Sequence, residues 1–145
     1  MSTVVYRDGV LASDSRAYGG SGQTSPGTKK KIHRLADGTR IGVTTASLGM
    51  AERFVAWVSA GADPDAWKGD KPDLRAIIIK PDGEVFLSED GLVFSGPIAC
   101  EQYAIGSGAS FAIGAMAMGA TAEEAVEVAI RFDHHSGGPV TVLPA

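Results

Sequence analysis

The stretch Ser2-Thr3-Val4-Val5-Tyr6-Arg7-Asp8-Gly9-Val10-Leu11-Ala12-Ser13-Asp14-Ser15 decides how this chain is read. Two apolar runs flank Asp8-Gly9, the dipeptide that most strongly marks a two-residue hairpin turn. A hairpin turning there brings residue 2 back beside residues 14 and 15. Once Met1 is trimmed, the Ser2 hydroxyl, its freed α-amine and the Asp14 carboxylate lie close together. That is a candidate nucleophile with a base built in.

Outward from this hairpin the pattern repeats. Lys31 to Leu35 alternates as a strand with one buried face, and Ala36-Asp37-Gly38 turns it into Arg40 to Thr45. The β-branched run Arg75 to Lys80 reaches Pro81-Asp82-Gly83 and returns through Glu84 to Ser88. Leu92-Val93-Phe94 reads as a further short strand, and Tyr18 to Gly27, dense in turn residues, as a loop. Between Leu48 and Ala60 the period changes: Leu48, Ala51, Phe54, Val55 and Val58 recur at helical spacing and Gly61 ends the run. Asp63 to Pro72 reads as a loop or a single helical turn. After the strand Tyr103-Ala104-Ile105 come two helices. The first runs from Ser110 to Met118. The second has Thr121 as its N-cap and Glu124 as the capping-box partner. Pro139 to Leu143 closes as a strand. Hairpins, one helix, hairpins again and two helices predict an α+β sandwich rather than alternating βαβ units, in one domain over residues 1–145.

Composition narrows the function. A net charge of −4 leaves no basic footprint for nucleic acid, and Lys29-Lys30-Lys31 with Arg34 is a short basic run best read as a solvated strand end. Cys100 is the only cysteine, so no intramolecular disulfide forms, which fits a reducing, cytoplasmic compartment. No charged start followed by an apolar stretch marks a signal peptide, and the longest apolar run, Phe111 to Ala120, is too short to span a membrane and reads as a buried helix.

Four segments are collinear with one known family: Tyr6 to Arg16, Lys30 to Leu35, Tyr103 to Gly108 and Asp133 to Gly138. In these the chain resembles the proteasome β-type subunits and the bacterial heat-shock-locus V peptidase, both N-terminal-nucleophile hydrolases of the threonine peptidase kind. The resemblance implies a four-layer αββα sandwich of two antiparallel sheets between helices. It also implies homo-oligomeric stacked rings around a chamber, peptide or unfolded-protein substrates, and an ATP-dependent unfoldase as partner.

The same resemblance assigns roles. Ser2 stands where the family usually has threonine, with Thr3 the alternative nucleophile after a further cut. Asp14 and Lys31 match the aspartate after the first hairpin and the lysine opening the third strand. Ser107 matches the serine of the Gly-Ser-Gly turn, and Asp133 with Ser136 the support beside the nucleophile. Backbone N–H groups around Ser47 would stabilise the oxyanion. No cofactor is implied for the chemistry. A structural monovalent or divalent cation is implied on the carbonyls of Ile130, Asp133 and Ser136. The first hairpin is shorter than the family norm by about four residues, an even number that leaves side-chain faces unchanged. The segment between the first helix and the Ile77-Ile78-Ile79 strand is too short for a second helix there, so one is expected to be missing.

Other features read as structural. Adjacent histidines, as in His134-His135, point in different directions, so one metal seldom takes both and a solvated loop is favoured. His33 alternates within its strand, and Trp57 and Trp67 read as packing or interface residues. Gly106-Ser107-Gly108 lacks the lysine of a phosphate-binding loop.

Overall fold

The structure, a computed structural model, describes residues 2–19 and 24–145. The opening hairpin pairs β1 (Thr3–Arg7) with β2 (Val10–Ser13), Tyr6 opposite Leu11 and Val4 opposite Ser13. Asp8 and Gly9 make its turn at φ 49° and 83°, the left-handed values a tight right-twisted hairpin requires. Two further hairpins lie where the alternation places them. They pair β5 (Ile32–Arg34) with β6 (Arg40–Thr44), and β7 (Arg75–Ile79) with β8 (Val85–Asp90). The short strand β9 (Val93–Ser95) extends the latter pair.

Tyr18 to Gly27 differs from the loop expected. Its ends pair as an antiparallel ribbon, β3 (Arg16–Gly19) with β4 (Thr24–Thr28). The part of that loop over residues 20–23 lies outside the described residues, as does Met1. The ribbon buries no face, so it carries no hydrophobic alternation for a sequence to display. It is held by backbone bonds and by Ser25 Oγ donating to the Ala17 carbonyl at 3.0 Å.

The strands form two main sheets. One runs β10-β1-β2-β11, with β10 (Gln102–Gly106) and β11 (Thr141–Leu143); the other runs β5-β6-β7-β8-β9. Alternation along each strand builds the layers. Val4, Tyr6 and Leu11 meet Ile32, Ile77, Ile79 and Ile105 between the sheets. Val5, Ala12 and Ala104 turn outward onto α2 (Ala109–Ala117) and α3 (Ala122–Phe132). On the far side Ile41, Val43, Ala76 and Ile78 pack against α1 (Met50–Ser59) through Ala51, Phe54, Trp57 and Val58. The order is therefore helix pair, sheet, sheet, helix: an αββα sandwich. Ile77, Ile78 and Ile79 are all fully buried, each contributing about 1.5–3 kcal/mol of transfer free energy.

The α1 layer holds that helix and a 3-10 turn at Pro64–Ala66, so the shortness of the Gly61–Leu74 segment is expressed as a thin outer layer. Trp57 fills it, with its indole N–H donating to the Asp63 carbonyl at 2.7 Å and its ring edge-on to Trp67. Helix α3 starts with the expected capping box between Thr121 and Glu124. Helix α2 departs from the buried helix expected. Only Ala112 and Met116 are buried, while Phe111, Ile113 and Met118 face outward. An apolar run with no polar face carries no mark of which side packs.

Candidate active site

Strand β1 delivers Ser2 to one end of the sandwich, where it is only 2% exposed. Two carboxylates hold that strand end. Asp14, the first residue after β2, accepts the Thr3 N–H on Oδ1 at 2.9 Å and the Gly137 N–H on Oδ2 at 3.0 Å. Lys31 lies at the entrance to β5 and donates from Nζ to both Asp14 oxygens at 3.0 Å. Both partners are buried, Asp14 completely. Burial pulls the Lys31 pKa below the ordinary lysine value, with Asp14 opposing the shift and the nearby charges of Lys29 and Arg16 adding to it.

The second carboxylate acts through hydroxyls. The Ser2 N–H donates to Ser107 Oγ at 3.1 Å, and Ser107 Oγ donates to Asp133 Oδ2 at 2.7 Å. Ser136 Oγ donates to the same oxygen at 2.6 Å. A hydroxyl has one proton, so the 2.7 Å contact between Thr3 and Ser136 runs from Thr3 Oγ1 to Ser136 Oγ. Asp133 Oδ1 takes the His135 N–H at 3.1 Å. Burial alone would raise the Asp133 pKa. The Ser136 and Ser107 hydroxyls and the His135 N–H outweigh it and hold the carboxyl below the usual aspartate value. Ser107 is 105 residues from Ser2 in the chain, and they meet because β10 pairs with β1, Gly106 opposite Thr3.

Ser2, Lys31 and Ser47 share the wall of one open pocket. The Ser47 N–H is engaged by Thr45 Oγ1 at 3.1 Å, and Thr45 Oγ1 in turn donates to the Asp73 carbonyl at 2.9 Å. The left-handed glycine of this segment is Gly49, at φ 80°. Of the residues singled out in the sequence, the structure thus brings Ser2, Asp14, Lys31, Ser107, Asp133 and Ser136 into one hydrogen-bonded cluster, with Ser47 across the pocket.

Thr3, the alternative nucleophile, points away from the pocket that Ser2 lines. Its side chain is fully buried and committed to Ser136, on the helix side of β1. Sequence reading missed that link, and it missed the Gly137 N–H on Asp14. The Gly137-Gly138 pair was the one available signal for a close backbone approach. Ile130, Asp133 and Ser136 lie at the end of α3 and in the turn after it, where the Asp133 carbonyl already accepts the Ser136 N–H at 3.2 Å. Three neutral carbonyls, one partly used, fit at most a weakly held cation. Among the described residues no three His, Cys, Asp or Glu side chains gather as a metal site, and no helix is long and apolar enough to cross a membrane.

No protein-family model matches the chain, and no curated protein matches it. Solved structures do. BPH of Thiobacillus denitrificans is 24% identical, covering 98% of this chain and 95% of BPH, with a TM-score of 0.62. The same BPH in complex with epoxomicin gives a TM-score of 0.63 at 24% identity, covering 98% of this chain and 96% of that one. Eukaryotic HslV from Trypanosoma brucei gives 0.66 at 20% identity, covering 99% of both chains. With its two antiparallel sheets between helix layers, the chain has the αββα sandwich fold of HslV and BPH.

Proposed function

We propose that this chain is a proteasome-like peptidase subunit whose nucleophile is Ser2, exposed by removal of Met1. One observation carries the reading: the Ser2 N–H is held by Ser107 while Lys31, paired with the buried Asp14, lines the pocket that Ser2 lines. The freed α-amine is a suitable base because its ordinary pKa lies near neutrality. Ser107 Oγ, anchored on Asp133, orients it. The positive field of Lys31 favours the deprotonated hydroxyl.

Ser2 Oγ attacks the carbonyl carbon of a peptide bond and its proton passes to the amine. The tetrahedral oxyanion is met by backbone N–H groups around Ser47, with the Thr45 hydroxyl giving way to it. Collapse breaks the C–N bond, and the leaving amine takes the proton back. Water then attacks the Ser2 ester by the same base, releasing the acid and restoring the hydroxyl. No cofactor enters. A monovalent or divalent cation on the carbonyls of Ile130, Asp133 and Ser136 would serve only to hold the 133–136 turn.

Assembly into stacked rings is part of this reading. Phe111 and Phe132 stack at 5.8 Å between ring centroids on the outer face of α2 and α3, where they are 42% and 56% exposed, and Met118 is 90% exposed. Such an apolar face suits burial against another copy. HslV and BPH share the fold, which supports a ring-forming subunit, and an ATP-dependent unfoldase feeding the ring is part of the proposal. The competing readings are a non-catalytic ring subunit and an amidase for small amides.

Intact mass of the purified protein is the deciding measurement. Loss of Met1 is expected; a mature assembly that keeps it excludes hydrolysis by this site and leaves the non-catalytic ring subunit. With Met1 lost, Ser2→Ala is expected to abolish cleavage of peptide amides, and unchanged turnover would remove Ser2 as nucleophile. Light scattering is expected to find a ring; a stable monomer favours the amidase.

A further inference from the structure

The pocket beside Ser2 has a charge that the catalytic reading does not use. Its wall includes Arg16, Lys29, Lys30 and Lys31, and no acidic residue. That is unusual in a chain whose net charge is −4. Lys31 is neutralised by Asp14. Lys29 is paired with Glu52, a residue of α1 that is not part of the wall and is more than half exposed. Arg16 donates to the His134 carbonyl at 3.0 Å, a neutral acceptor that leaves its charge uncancelled. Lys30 is exposed and makes no ion pair among the described residues. These charges act on one another across the pocket. Lys29 and Arg16 both help to lower the Lys31 pKa, and Lys30 with Lys29 lowers that of His33. Val43, Ala46 and Ala51 add small and apolar surface to the same wall.

A carboxylate entering here relieves the repulsion, and it can draw Lys29 away from its exposed partner Glu52 at little cost. An incoming cation meets only like charge. A purely apolar side chain is accepted by the small residues but leaves the cations unanswered.

Resting on the peptidase reading, we infer that this pocket selects an acidic side chain, Glu or Asp, on the residue whose carbonyl Ser2 attacks. The specificity residues are Lys29 and Lys30 at the rim, with Arg16 supplying a fixed positive field. They act on substrate choice, and the bond-breaking steps remain those of Ser2 and its amine.

Fluorogenic peptide amides differing only at that residue test it, with Glu, Gln, Leu and Lys compared on the Met1-trimmed protein. Glu should exceed Gln in kcat/KM by about tenfold, as one charge-assisted bond permits. Lys should be cleaved slowest, and the advantage of Glu should shrink as salt rises. In Lys29→Glu/Lys30→Glu the order of Glu and Lys should reverse. Equal rates for Glu, Gln and Leu, or a Leu preference unmoved by the double variant, would overturn the inference and leave the peptidase reading standing. If no peptide is cleaved, the peptidase reading fails and binding decides the pocket. Fluorescence anisotropy of labelled Glu and Lys peptides at low salt should then still favour Glu, and equal affinities would overturn the inference.

Discussion

Lys31 Nζ sits 3.0 Å from both carboxylate oxygens of Asp14, with the lysine side chain 7% exposed and the aspartate wholly buried. The pair links β5 to the end of β2. Because Asp14 also takes the N–H groups of Thr3 and Gly137, one carboxylate ties β5 and the Gly137 turn to the start of β1.

Breaking that pair from one side leaves an uncompensated buried charge. Asp14→Asn is expected to cost about 3–5 kcal/mol in urea unfolding. Lys31→Met should restore part of this in the double variant, since the two losses share one interaction. Peptide turnover should be lost in all three.

Gly106 lies opposite Thr3 at φ 100°, a conformation that side chains seldom adopt, and a methyl group there would overlap the Ser2 carbonyl. Gly106→Ala therefore combines backbone strain with displacement of Ser2. A loss of more than about 2 kcal/mol is expected in thermal or urea unfolding. Turnover should fall further than the lost stability explains, as measured on the fraction still folded.

Asp133 makes stability depend on acid. Its carboxyl is held below the ordinary aspartate value of 3.8, so the unfolded chain binds its proton first as pH falls. The contribution is complete above that value and is lost as pH falls through the native pKa. Asp133→Asn should unfold more easily at neutral pH and show a flatter decline from pH 5 to about pH 2. A decline as steep as that of the unaltered protein would place the acid-sensitive group elsewhere.

Thr3→Val removes a buried hydroxyl whose one bond goes to Ser136. About 1 kcal/mol of stability should be lost. Because the hydroxyl faces the Asp133 turn and not the pocket, peptide cleavage should persist. Its complete loss in a folded Thr3→Val protein would reopen Thr3 as nucleophile.

Much of the architecture was legible because hairpins and capped helices are local events. Asp8-Gly9 set a two-residue turn, and the alternation from Lys31 to Leu35 marked a strand before any partner was known. Thr121 and Glu124 marked the start of α3 within one turn. Where local pattern was absent the reading was poorer. The β3–β4 ribbon buries no face, and α2 is apolar all round, so neither advertises its partners. For the candidate site, the family resemblance gathered the residue types, but the order of the hydrogen bonds was not in the sequence.

By itself, then, the sequence determined the three hairpins, the helical periods and the position of Ser2 at the start of β1, since each depends on residues within a few positions of one another. Tertiary structure alone decided that β10 would lie against β1 and bring Ser107 to the Ser2 N–H, that Asp133 would anchor both Ser107 and Ser136, and that Thr3 would face inward while Ser2 faces the cationic pocket. The links of Ser2 to Ser107 and of Thr3 to Ser136 span more than a hundred residues, and they follow from how sheets and helices pack, which no local spacing encodes.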